Sequence, residues 1–185
     1  MNIEGKERGI GIKGEGDFVL NHKGRDALDR LEYHMERLGC PVKYEKLKYL
    51  SFYPLNQEAV TYLVLKEVFN FSDEKFREVG RFESKVSMMV RMFMKYYFSI
   101  GLMATDAPKI WRKYYSVGKM TVPEFNEERY AVIKIEDFKL HPCFCRTLEG
   151  YFGSIVKMMV KNPVTCKERK CVYKGDECHE FLLKW

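Results

Sequence analysis

Tyr130-Ala131-Val132-Ile133-Lys134-Ile135-Glu136-Asp137-Phe138 is the stretch that sets the fold class. Ala131, Ile133 and Ile135 fall on one side of a period-two alternation, the repeat of a strand with one buried face. Most of the chain before it reads with a helical period, so the periodicity changes here. Downstream, 142–160 returns to helix, with Pro142 near its start, where a missing N–H costs nothing, and Asn162-Pro163 at its end. The tail, 164–185, reads as a hairpin turning near Lys174-Gly175-Asp176. Its last strand places His179, Phe181, Leu183 and Trp185 on one face. The class is α+β: helices in the N-terminal half pack on an antiparallel sheet formed mainly by the C-terminal half.

Upstream, 24–38 reads as a helix. Leu28, Leu31, Met35 and Leu38 recur at its spacing, and Gly39 stops it. A turn-rich segment with Tyr49, Phe52, Tyr53 and Pro54 leads to a second helix over about 56–69. Ser72 caps a third, with Asp73 and Glu74 in its first turn. This third helix is expected to run over about 73–101. Ser87, Arg91, Lys95 and Ser99 make one polar stripe on it, and nearly every other position from 86 to 100 is apolar. A surface helix buries a stripe about 100° wide, so this one buries most of its circumference. It is either a central core helix or one wall of a pocket lined by Met and aromatic side chains. A short helix over 108–116, opened by Pro108, carries Trp111.

The N-terminal segment holds Gly9-x-Gly11-x-x-Gly14. Phosphate binding by such a motif needs a strand before it and a helix after it. Eight mostly polar residues precede it and Glu15-Gly16-Asp17 follow, so no nucleotide is expected. Residues 1–17 read as a flexible or short-strand lead-in, with a strand around 18–20, and 18–185 as a single ligand-binding domain.

The 185 residues are 46% hydrophobic and 31% charged, an ordinary globular balance. A net charge of +6 is spread along the chain, which gives no nucleic-acid signature. The high aromatic content (15%) and ten methionines make an adaptable core. Residues 1–17 show no targeting signal. The most hydrophobic stretch, 86–104, carries Arg91 and Lys95 at its centre, which argues against a membrane span. A cytoplasmic location is expected, where cysteines are thiols or metal ligands rather than disulfides.

Five of the six cysteines lie between 143 and 178: Cys143-x-Cys145, then Cys166-x4-Cys171-x6-Cys178. Cys145 sits at a helix start, Cys171 and Cys178 flank the hairpin turn, and Glu168 stands three residues before Cys171. Folding the hairpin onto the helix would converge these four groups on a tetrahedral zinc, which would add to folding stability. The spacing is not that of a zinc finger, and cysteines buried as small hydrophobes are the alternative.

The run from His141-Pro142-Cys143-Phe144-Cys145 through Gly150-Tyr151-Phe152-Gly153, followed by Cys171 and Gly175-Asp176-Glu177-Cys178-His179-Glu180-Phe181, resembles the 4-vinyl reductase domain family. The shared features are Cys-x4-Gly at a helix start and a Cys…Gly-Asp-x-Cys-x-x-Phe tail. The likeness covers about 105–185; upstream, Phe52-Tyr53-Pro54 and Gly80 fit it. The resemblance implies the fold of nitric-oxide-signalling and Golgi-transport ligand-binding domains, with a buried cavity and frequent dimerisation. Members sense aromatic compounds or are described as hydrocarbon-binding. It also implies a zinc held by three cysteines and a glutamate, here Cys145, Glu168, Cys171 and Cys178, with Cys166 as a substitute for Glu168. Related haem-binding sensors carry Tyr-x-Ser-x-Arg. Here Tyr114-Tyr115-Ser116-Val117 has no following Arg, and His22, His34, His141 and His179 lack a proximal-ligand setting, so no haem is expected.

The resulting expectation is a non-enzymatic binder or sensor of a hydrophobic or aromatic molecule with a structural zinc. Its cavity would be lined by Met88, Met92, Phe93, Tyr96, Trp111, Phe144 and Tyr151, with tyrosine hydroxyls and the Trp111 indole orienting the ligand. A homodimer, or a separate signalling partner, would report occupancy. The alternative is a dimeric interaction scaffold like the Golgi-transport relatives. A reductase-associated enzyme component ranks last. The chain has no HExxH, nucleophile elbow or P-loop, and a zinc with four protein ligands has no open position.

Overall fold

The computed structural model describes residues 3–86 and 99–185. Two layers make up the molecule. The first holds α1 (Gly9–Lys23), α2 (Arg25–Arg37), α3 (Leu55–Glu67) and α4 (Asp73–Val86), with a small ribbon of β1 (Lys6–Arg8) and β2 (Phe52–Pro54). The second holds α5 (Ile100–Tyr114), β3 (Lys119–Asn126), β4 (Tyr130–Glu136), α6 (Pro142–Met159), β5 (Thr165–Lys170) and β6 (His179–Lys184). The C-terminal strands form one antiparallel sheet in the order β3-β4-β6-β5. The α+β class and the C-terminal origin of the sheet are as the alternation at 130–138 predicts.

Register decides what faces the helices. Ala131 pairs with Leu183, Ile133 with Phe181 and Ile135 with His179, so these side chains share a face. Across β6 the same face takes Cys166 opposite Leu183 and Glu168 opposite Phe181, before a register shift between Glu168 and Lys170. His179, Phe181 and Leu183 are buried, as the last strand's alternation predicts. α6 covers this face, with the Phe152 and Phe181 rings 5.5 Å apart.

α4 packs on α6 at glycines. A Cβ on Gly80 would lie 2.0 Å from the Thr147 carbonyl oxygen, and one on Gly150 would lie 2.1 Å from that of Arg77. The two helix backbones therefore touch directly, a contact that any side chain would forbid. Arg77 Nε donates to Glu149 Oε2 at 2.8 Å across the same crossing.

Three expectations change. The strand around 18–20 is helix, and Gly9–Asp17 belongs to α1 rather than to a lead-in. Four glycines in α1 weaken its local signal, but tertiary contact holds it: Ile12, Phe18 and Val19 are buried in the core. The helix expected over 73–101 does not reach 101 unbroken, because Ser99 has extended backbone (φ −142°, ψ 152°) and caps α5, its Oγ accepting from Leu102 N at 3.2 Å. Pro108 lies inside α5 instead of opening a helix there. The stripe residues Ser87, Arg91 and Lys95 lie outside the described residues. No described helix is long and apolar enough to cross a membrane.

Candidate ligand cavity and metal-binding cluster

A cavity of about 410 Å³ opens between α1, α5, α6 and the β3–β4 face. Its volume is that of a small-molecule site. α5 contributes Ile100, Met103 and Trp111; α6 contributes Phe144, Leu148 and Tyr151; the sheet contributes Met120, Ala131, Ile133 and Leu183. Trp111 stacks on Tyr115 at 4.3 Å and meets Phe138 edge-on at 5.0 Å. Its indole N–H is already used, donating to Val117 O at 3.2 Å. That bond corrects the expectation that the indole would orient a ligand.

The cavity has a second chemistry at its α1 end. Glu15, Glu58 and Glu83 line it. Glu7, on β1, is buried with them, 1% exposed like Glu15 and Glu58. The α1 glycines make room for two of these carboxyl groups. A Cβ on Gly11 would lie 2.7 Å from Glu7 Oε2, and one on Gly14 would lie 2.8 Å from Glu83 Cγ. Among the described residues, both Glu7 oxygens, Glu15 Oε2, Glu58 Oε2, Glu83 Oε1, Tyr62 Oη and Thr147 Oγ1 are buried without a well-formed hydrogen bond, although Glu7 lies near enough to interact with Glu58 and Tyr115, Glu15 with Tyr62, and Tyr62 with Thr147. Burial disfavours the charged form. It pushes the Glu15 carboxyl from 4.5 to about 8. Burial, reinforced by mutual repulsion, holds Glu7, Glu58 and Glu83 well above the usual carboxylate range.

The cysteine-rich region forms a separate cluster. Cys145 on α6, Glu168 on β5, Cys171 after β5 and His179 on β6 offer ligand atoms all within 4.8 Å of one another. Cys145 Sγ lies 3.9 Å from Cys171 Sγ and 3.5 Å from His179 Nδ1, and His179 Nδ1 lies 2.9 Å from Glu168 Oε1. Burial first, then the Glu168 charge, pushes the Cys145 thiol up. Burial likewise raises Cys171. Burial also opposes ionisation of Glu168, but hydrogen bonds from His179 and Cys145 and the charge of Arg146 outweigh it and hold that carboxyl low. The set therefore holds two protonated thiols, an ionised carboxylate and an imidazole. A metal would have to displace the thiol protons.

Of the residues expected from sequence, Cys145, Glu168 and Cys171 come together. Cys178 stands outside their group and His179 occupies the fourth place. Cys166 packs towards Gly153 of α6 and is not among the four. A signal for His179 exists in the sequence, since the β6 alternation puts it on the inward face. Trp111, Phe144 and Tyr151 line the cavity. Met88, Met92, Phe93 and Tyr96 lie outside the described residues. Sequence reasoning does not find the cluster of carboxyl groups. Its trace is the run of glycines in 9–16, which reads as a failed phosphate motif.

No protein-family model matches the chain. No curated protein matches it significantly in sequence. Solved structures do match in three dimensions. An H-NOX protein from S. oneidensis in its Fe(II)NO ligation state has a TM-score of 0.72 at 10% identity, covering 95% of this chain and 97% of its own. An Fe(II) unliganded mutant of an H-NOX protein from K. algicida has a TM-score of 0.69 at 12% identity, covering 96% and 95%. A structure described under "Modulating Heme Redox Potential Through Protein-Induced Porphyrin Distortion" has a TM-score of 0.65 at 11% identity, covering 96% and 99%. The likeness overturns the exclusion of haem, because these neighbours are described by heme or by Fe(II), and it lends zinc no support. Membership of the 4-vinyl reductase family gains no support from the comparisons, whereas the nitric-oxide-signalling fold implied by that resemblance agrees with them: the chain has the fold of H-NOX proteins.

Proposed function

We propose that the chain is a non-enzymatic domain, 18–185 with α1 completing its wall, that binds a small, largely apolar molecule and signals its presence. The cavity carries this reading: a space of about 410 Å³ walled mostly by aromatic, Met and aliphatic side chains, in a fold shared with solved H-NOX proteins. The resemblance of about 105–185 to the 4-vinyl reductase family points the same way. Occupancy would be reported through a homodimer or a separate signalling partner. The test is native mass spectrometry and solvent extraction of the purified chain. A small molecule released in near-stoichiometric amount supports the proposal. A chain that is always empty, takes up no apolar probe and persists as a stable dimer supports the interaction scaffold instead.

The neighbours' haem bears on this cavity. Haem iron is held in proteins by His, Cys, Met or Tyr. Among the described lining residues there is no His or Cys; Tyr49, Tyr114, Tyr115 and Tyr151 are the phenol oxygens, and Met103 and Met120 the thioethers. No Lys or Arg is among them to meet the propionates, and three glutamates are. The described residues do not fit a histidine-held haem, and nothing in the proposal is routed through one.

Cys145, Glu168, Cys171 and His179 form the second part of the proposal, a metal-binding centre that ties α6 to the β5–β6 hairpin. Four protein donors leave no open position, so its role is structural. The mixed set of thiols, imidazole and carboxylate in one buried place supports it.

A further inference from the structure

One end of the cavity is acidic, and an apolar ligand would leave that end unanswered. Glu15 from α1, Glu58 from α3 and Glu83 from α4 reach it from three elements, and Glu7 of β1, not itself a lining residue, interacts with all three. Each keeps at least one buried oxygen without a well-formed hydrogen bond among the described residues, and their nearest polar neighbours are one another, Tyr62 and Tyr115 rather than a cation. Thr147 of α6 lines the same cavity, and among the described residues its buried hydroxyl makes no well-formed hydrogen bond, with Tyr62 its nearest polar neighbour. Native interiors satisfy nearly all such groups. No Lys, Arg or His stands among the described lining residues. Gly11 and Gly14 of α1 leave room for two of the four carboxyl side chains, those of Glu7 and Glu83.

We propose that the ligand of this cavity carries a protonated amine head, seated among Glu15, Glu58, Glu83 and the Thr147 hydroxyl, with its apolar body against Trp111 and Phe144. The inference rests on reading the cavity as a small-molecule site and names the class of molecule. An ammonium has three donors and no acceptor, which matches a set of acceptors without well-formed hydrogen bonds. Its charge makes the ionised form of the carboxyl groups favourable, and the hydrogen bonds formed are of the strong charge-assisted kind. Without a ligand, burial keeps the glutamates largely protonated. Entry of an ammonium then sends a proton from the cluster to solvent. The aromatic wall suits the rest of the molecule and attracts a cation over its ring faces.

The test uses two sets of probes: 2-phenylethylamine and n-octylamine, each compared with its alcohol and with a carboxylate of equal length. Binding to the full chain is followed by tryptophan fluorescence, with Trp185→Phe leaving Trp111 as the sole emitter, and by calorimetry in two buffers of different ionisation enthalpy. The expected result is at least tenfold tighter binding of an amine than of its alcohol, with proton release, and weakest binding of the carboxylate. Glu58→Gln with Glu83→Gln, isosteric and checked for folding by circular dichroism, should lower the amine-to-alcohol affinity ratio at least tenfold and cut proton release; a ratio unchanged from the parent overturns the inference. Equal affinity for amine and alcohol overturns the inference while the cavity reading stands. So does preference for the carboxylate, or for hemin with its two propionates. If no probe of either set binds, the cavity reading falls and this inference with it.

Discussion

At the scale of single residues, Glu15 is the most exposed to test. Its carboxyl titrates near 8 in the fold and at 4.5 outside it. The folded state therefore binds the proton more tightly. Stability from this group is fully present below 4.5 and is lost as pH rises through about 8. Glu15→Gln keeps the shape and cannot ionise. Its gain over the parent should be near zero at pH 4.5 and grow to on the order of 2–4 kcal/mol at pH 8. Urea denaturation at a series of pH values measures it, and a pH-independent difference would refute the assignment. The cysteine cluster makes a second residue-scale prediction. Metal content measured by elemental analysis after equilibration should be lost in Cys145→Ala and His179→Ala and kept in Cys178→Ser. The reverse pattern would return Cys178 to the place that the family resemblance gives it.

At the scale of elements, the α4–α6 crossing is the tightest joint. Gly80 and Gly150 each sit with a partner backbone where a Cβ would stand. Gly80→Ala must separate two helices whose crossing also carries the Arg77–Glu149 pair and presents Glu149 to Glu168 N at 2.8 Å. Overpacking of this kind costs roughly 1–3 kcal/mol, and a rigid backbone contact belongs at the upper end. We expect a lowered urea midpoint with an unchanged slope. A midpoint within about 0.5 M of the parent, taking about 1–3 kcal/mol/M for a small domain, would mean that the helices part easily. The α5 cap is a milder case. Ser99→Ala removes the bond to Leu102 N and should cost about 1 kcal/mol in the same experiment. Its sequence signal is hidden because Ser99 also completes a four-residue polar stripe. Periodicity alone does not show that the chain turns extended at that residue.

At the scale of the whole molecule, the cavity lies where the helical layer meets the sheet, so occupancy should stabilise both together. A ligand present at about a hundred times its Kd would add about 2.7 kcal/mol to the fold. Removing it by unfolding, washing and refolding should lower Tm, and adding back the extract should restore it. A Tm indifferent to both steps would mean that the cavity holds nothing. Chelation should lower Tm independently of this, because the cluster lies between α6 and the hairpin rather than in the cavity.

Local pattern is enough for the class, the sheet and part of each site. Period-two alternation at 130–138 and in the last strand reports one buried face, and that physical pattern is local, so Ile133, Ile135, Phe181 and Leu183 can be placed without a fold. The same local logic puts Cys145 at a helix start and Glu168 and Cys171 in the hairpin. Long-range packing was needed to establish that α1 is a helix, that His179 rather than Cys178 completes the cluster, and that four glutamates from four elements share one interior. In each case the deciding interaction joins residues far apart in the chain. Glycine weakens α1 locally, yet Gly11 and Gly14 leave room for the Glu7 and Glu83 side chains that lie against the helix. Desolvation, which sets the chemistry of those carboxyl groups, arises only when the elements pack.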